Sequence, residues 1–126
     1  MGVHSTGQHV FAYGSLVDPG CLDEVLGHRH VGERLAARLD GYARITTAAF
    51  PFPYIVVEQG RSVGGVLLMD LSAYDIQALD RYEDVEQGIY ARRRVEVEAW
   101  GCGPRPRLFE AETYVAGPQL IALAAA

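Results

Sequence analysis

The sequence predicts a single α+β domain, a small strand framework with short helices packed beside it. Three observations lead there. Apolar and polar residues alternate with period two in several segments, as in half-buried strands; two other segments place apolar residues at helical spacing behind a capping residue; and turn residues separate these segments at short intervals. With 126 residues, 49% of them hydrophobic and 21% charged, the chain has the size and composition of one core.

The first element is a buried strand from His9 to Ala12 that stops at Tyr13-Gly14-Ser15-Leu16. Gly14-Ser15 lets the backbone turn with its N–H groups unpaired, and successive free N–H groups make an anion-binding concavity; the same residues also read as an ordinary turn. Asp18-Pro19 then has the form of an N-cap followed by proline at the first helical position. Cys21, Leu22, Val25 and Leu26 make one apolar face, and Gly27 stops the helix. Leu35, Ala37 and Leu39 alternate in a strand that bends at Gly41 and continues from Tyr42 to Thr46. Because proline has no N–H, Phe50-Pro51-Phe52-Pro53 reads as a fixed loop lining a surface or pocket. Tyr54 to Val57 and Val63 to Met69 flank Gln59-Gly60-Arg61-Ser62 as a first hairpin, with Gly64-Gly65 marking a bulge or close backbone approach. Ser72, with Asp75 three residues on, opens the strongest helix, which ends near Asp84. Tyr90 to Trp100 and Leu108 to Val115 form a second hairpin around Gly101 to Pro106. The apolar tail Leu120 to Ala126 either docks as a helical turn or frays.

Composition narrows the partners. Sixteen acidic against 11 basic residues give a net charge of −5, and the one basic run, Arg92-Arg93-Arg94, is followed by Glu96 and Glu98 in strand-like alternation. Pairing across a solvated sheet face accounts for it, so no nucleic-acid partner is expected. The two cysteines, Cys21 and Cys102, make no disulfide framework and fit a reducing compartment. Met1 to Gln8 lacks the pattern of a leader and no apolar run approaches 18 residues, so the expected location is cytoplasmic, with no membrane partner. A monomer and a weak homodimer through a strand edge or the tail are both open.

One carboxylate stands out. Ile76 and Leu79 define the inward face of the helix after Ser72, and Asp80 and Glu83 follow at the spacings that share that face. Glu83 is then either partly desolvated, with a raised pKa suited to acid–base work, or part of a solvated turn with Asp84 and Glu86 where the helix frays. Tyr82 and Tyr90 read equally as core aromatics with wet tips. His28-Arg29-His30 has no accompanying carboxylate or thiol at ligand spacing and reads as a polar loop, as His4 and His9 do; no metal is expected. Ser15 lacks the setting of a hydrolase nucleophile, and no nucleotide-binding motif occurs, so no cofactor is expected.

Taken in order, Phe11-Ala12-Tyr13-Gly14-Ser15-Leu16, Leu39-Asp40-Gly41-Tyr42, Val63-Gly64-Gly65-Val66-Leu67, Leu79-Asp80-Arg81-Tyr82-Glu83 and Tyr90-Ala91-Arg92 resemble the gamma-glutamylcyclotransferase-like family over roughly residues 9 to 117. The resemblance implies a small mixed β-barrel with short flanking helices. It implies a glutamyl-binding loop at Tyr13, Gly14, Ser15 and Leu16, an acid/base at Glu83, and a substrate contact at Tyr114, with Tyr90 or Tyr114 holding the substrate carboxylate or orienting Glu83. The activity implied is attack of a substrate's own α-amine on its γ-carbonyl, releasing 5-oxoproline and a free amine without a cofactor. Leu16, where the glutathione-metabolising branch commonly has asparagine, is similar to the short branch that includes gamma-glutamylamine cyclotransferases. A non-catalytic module that binds small anions on the same fold is the competing expectation.

Overall fold

The computed structural model describes residues 7–101 and 103–125; the expectations for Met1 to Thr6, Cys102 and Ala126 lie outside them. Among the described residues five strands and three α-helices follow one another as β1 (Gln8–Ala12), α1 (Pro19–Leu26), β2 (Arg34–Thr47), β3 (Phe50–Leu71), α2 (Ala73–Tyr82), β4 (Tyr90–Trp100), β5 (Arg107–Ala116) and α3 (Pro118–Ala125). The sheet runs in the order β1-β3-β2-β4-β5 and closes on itself, antiparallel throughout except for the pairing of Val10 with Glu112 that joins β1 to β5. The α+β class with a small barrel-like sheet and short flanking helices is the observed architecture.

The helices start and stop for the local reasons read in the sequence. Asp18 accepts a hydrogen bond from the Cys21 N–H at 2.9 Å, with Pro19 at the first helical position and Gly27 in the left-handed region at φ 80°. Ser72 and Asp75 form both halves of a capping box at 3.1 and 3.0 Å. The apolar tail docks as α3, burying Leu120 completely.

Two expectations are corrected at β3. Tyr54–Val57 and Val63–Met69 do not pair with each other. Both arms belong to one strand and pair with β2, Ala43 opposite Val56 and Ala37 opposite Gly65. The Gln59-Gly60-Arg61-Ser62 signal is a bulge: the register pairs Asp40 with Ser62 and Tyr42 with Val57, leaving Gly41 opposite Glu58 to Arg61, and both Gly41 and Gly60 have positive φ. Alternation shows that a segment is a strand but not which strand it pairs with. Phe50-Pro51-Phe52-Pro53, expected as a loop, is the start of β3, with Phe50 opposite Thr47. That end of β3 pairs with β2 alone, so its other edge is free and a missing N–H forfeits no ladder bond there.

The core has two parts, separated by β1. Val10 and Ala12 face the side where Leu22, Ile76, Leu79 and Leu120 bring the helices against the sheet. Phe11 and Tyr13 face a second cluster, with Leu39, Ile55, Leu67, Val97 and Ala111, built from strands and the turn after β1. A strand buried on both faces needs a continuous apolar run, which Val10-Phe11-Ala12-Tyr13 provides. Close packing around it explains one glycine: a Cβ on Gly65 would come within 2.2 Å of the Ala12 carbonyl oxygen and 2.9 Å of the Phe11 ring.

Candidate active site

Beyond Ala12 the chain leaves the sheet, and its first residue is tied down. The buried Tyr13 hydroxyl donates to the Tyr114 carbonyl oxygen on β5. Gly14 then opens a single 3₁₀ turn, Ser15–Val17, whose first backbone bond runs from the Val17 N–H to Gly14 O at 3.1 Å. The N–H groups of Ser15 and Leu16 precede that bond and have no acceptor inside the turn. Leu16 is buried in the core, and Ser15 Oγ shares a hydrogen bond of 2.7 Å with the Tyr82 hydroxyl. The turn is thus anchored below by Leu16 and sideways by α2.

Helix α2 ends at Tyr82, and Glu83 is its C-cap rather than part of a frayed solvated turn. The Glu83 N–H still donates to Leu79 O at 2.9 Å, and Asp84, at φ 52°, turns the chain away. Ile76 and Leu79 are buried, and Glu83, on the same side of the helix, is half-buried while Asp84 and Glu86 are exposed. Burial, aided by the neighbouring Asp84 charge, pushes the Glu83 carboxyl up to about 7. No hydrogen bond from another described residue offsets the desolvation.

Three tyrosines complete the arrangement. Tyr90 donates to the Pro53 carbonyl oxygen at 2.7 Å, and Tyr114 donates to Asp80 at 2.8 Å. Asp80 in turn faces Arg92 at 3.5 Å, and Arg92 faces Glu112 at 3.6 Å. Burial holds the phenols of Tyr13, Tyr90 and Tyr114 well above the ordinary tyrosine value, so all three remain protonated donors. Tyr13, Gly14, Ser15, Leu16, Glu83, Tyr90 and Tyr114 all line one cavity of about 300 Å³, together with Phe50, Phe52, Pro53, Tyr82, Asp84 and Ile89.

The Asp80–Arg92–Glu112 support was not anticipated. Its signals were present: Asp80 lies four residues after Ile76 on the inward helix face, and Arg92 lies two after Tyr90 on the same strand face. His28 and His30 take separate partners away from the cavity, Asp75 at 2.6 Å and the Met69 carbonyl oxygen at 2.7 Å.

Comparison with known proteins bears on this geometry. The pattern of the family described as gamma-glutamyl cyclotransferase, AIG2-like, matches residues 10–124. AIG2-like protein C of Arabidopsis thaliana is 30% identical over 106 residues, which cover 84% of this chain and 57% of that protein. The chain therefore spans little more than half the length of that relative. Among solved structures, a protein from Arabidopsis thaliana superposes with a TM-score of 0.73 at 25% identity, covering 91% of this chain and 74% of that one. A gamma-glutamyl cyclotransferase superposes with a TM-score of 0.70 at 18% identity, covering 87% and 66%. An AIG2-like protein from Mus musculus superposes with a TM-score of 0.66 at 20% identity, covering 91% and 82%. At their identities the last two likenesses show the fold alone.

Proposed function

The chain belongs to the AIG2-like gamma-glutamyl cyclotransferase family, and on that premise we propose that it converts a γ-glutamyl amide to 5-oxoproline and a free amine. One observation carries the proposal: a carboxyl group with a pKa of about 7 opens onto the same cavity as the turn Tyr13 to Leu16, whose Ser15 and Leu16 N–H groups have no acceptor inside the turn. The competing anion-binding module does not require a desolvated carboxylate there, since such a group weakens anion binding.

The reaction asks little of the protein beyond position and proton transfer. Amine and carbonyl belong to one molecule, and holding them in near-attack geometry supplies effective molarities on the order of 10⁵ M or more. The Glu83 carboxylate takes a proton from the substrate's α-ammonium, and the freed nitrogen forms a bond to the γ-carbon. The carbonyl becomes an oxyanion. N–H groups of the turn hold this oxyanion or the substrate α-carboxylate, which backbone dipoles do without adding charge. Glu83 returns its proton to the leaving nitrogen as the old C–N bond breaks, so the amine departs neutral. The remaining extra proton on the ring nitrogen passes through the same carboxylate to the amine or to water. Tyr90 and Tyr114 are the residues proposed to hold the substrate carboxylate or to orient Glu83.

The experiment is a panel of γ-glutamyl amides and peptides scored for 5-oxoproline with wild type and Glu83→Gln. The variant is expected to lower kcat by roughly 10²- to 10⁴-fold, the range for removing a general acid–base. Equal yields from both proteins would overturn the assignment, as would glutamate in place of 5-oxoproline, which is the product of hydrolysis through Ser15. Thermal stabilisation by γ-glutamyl compounds without turnover would instead establish the binding module.

A further inference from the structure

The walls of the cavity say which amine the site releases. Among the described lining residues the only formal charges are carboxylates, Glu83 and Asp84; there is no lysine, arginine or histidine. On one side Phe52 packs edge-on against Phe50 with ring centroids 5.8 Å apart, and Phe50 packs edge-on against Tyr90 at 6.2 Å. These rings form a continuous aromatic wall. Phe52 lies at its outer end and is 58% exposed.

Resting on the cyclotransferase reading, we infer that the preferred substrate is the γ-glutamyl amide of an apolar amine that carries no carboxylate, its body lying along Phe50 and Phe52. With the glutamyl end held by the Tyr13–Leu16 turn and Glu83, the rest of the substrate has the aromatic wall for company. Apolar contact there removes the exposed face of Phe52 from water. A carboxylate on the amine would meet two acidic side chains and no cation among the described lining residues. The nearby Arg44 and Arg92, which act on Tyr13 and Tyr114, stand outside that lining, and Arg92 is already opposite Asp80 and Glu112. Its desolvation would go unrepaid, and binding would suffer by like-charge repulsion as well. Tyr82, 41% exposed and tied to Ser15, lines the same cavity and adds another ring without adding charge.

Three substrates isolate the two effects: γ-glutamyl-phenethylamide, γ-glutamyl-phenylalanine, which adds only the carboxylate, and γ-glutamyl-methylamide, which lacks the ring. The expected order of kcat/KM places the phenethylamide at least tenfold above each of the others. Phe52→Ala, at an exposed position and checked for folding by its thermal melt, is expected to cut the phenethylamide-to-methylamide ratio several-fold. Phe52→Arg supplies the missing cation and is expected to shift preference toward γ-glutamyl-phenylalanine by about tenfold. Turnover of γ-glutamyl-phenylalanine as good as that of the phenethylamide would overturn the inference while leaving the cyclotransferase reading intact. So would a cationic diaminobutane amide that outperforms both, or ratios unchanged in both Phe52 variants. Failure of every γ-glutamyl compound to release 5-oxoproline sinks the cyclotransferase reading itself.

Discussion

A carboxyl group with a pKa of about 7 is half ionised at neutral pH, able both to accept and to return a proton. The cost falls on stability. Because folding raises the Glu83 pKa above its unfolded value, the protonated form favours the native state. The stability associated with that proton is present at low pH and is lost as pH rises from about 4.5 to about 7. Glu83→Gln, neutral at every pH, is therefore expected to be more stable than wild type at pH 8 by roughly 2–3 kcal/mol. The gap should vanish near pH 4, a comparison that urea unfolding at both pH values measures directly. Activity moves the opposite way: kcat/KM should rise with pH through about 7 as Glu83 ionises, then fall where the substrate ammonium deprotonates. A rate profile flat between pH 5.5 and 8 would contradict the role. Glu83 was legible from its spacing after Ile76 because helical geometry is local. Its desolvation was one of two readings, and only the fold chose between them, because β1, β4 and the start of β3, which enclose it, come from elsewhere in the chain.

At the scale of elements, α2 is the piece that aims Glu83, and its start is electrostatically pinned. His28 places both ring nitrogens against acceptors, Nε2 on Asp75 and Nδ1 on the Arg29 carbonyl, so protonation is favoured and its pKa is raised, by the Asp75 bond above all. Burial pushes the Asp75 carboxyl up, but the Ser72 N–H and His28 outweigh it and hold the group below its ordinary value. The His28 contribution is present below the unfolded histidine pKa and lost as pH rises through the folded one. His28→Ala should consequently destabilise more at pH 6 than at pH 9, read as the difference in Tm from wild type at each pH. Ser72→Ala removes a cap and should cost about 1 kcal/mol at either pH. Strand β3 depends on Gly65 in a different way. Gly65→Ala drives a methyl group into the Ala12 carbonyl and the Phe11 ring, so a loss of roughly 1–3 kcal/mol or more is expected in denaturant unfolding. Activity should fall with it, since Ala12 leads directly into the turn. The capping box, the Asp18 cap and the glycine signals were readable beforehand because each involves neighbours in sequence.

For the whole molecule the decisive event is closure of the sheet. β1 lies between β3 and β5, and the fully buried Thr113 hydroxyl donates to the Phe11 carbonyl oxygen at 2.9 Å beside the single parallel pairing. Thr113→Val keeps the shape and removes the donor, and should cost about 1 kcal/mol in chemical denaturation. If Thr113 only fills space, the two proteins will unfold at the same midpoint. Closure also brings Tyr114 across to Tyr13, and Asp80 to Arg92, joining parts of the site that are distant in sequence. The sequence by itself determined where the helices begin and end, the runs of β1, β2, β4 and β5, the capping residues, and that Glu83 shares a helix face with Ile76 and Leu79, since periodicity and capping act over a few residues. Only the tertiary structure decided that β3 is one bulged strand pairing with β2, that Arg92 braces Tyr114 through Asp80, and that Glu83 faces the Tyr13–Leu16 turn across one cavity. Those outcomes turn on which surfaces meet, and strand pairing and burial depend on partners far along the chain.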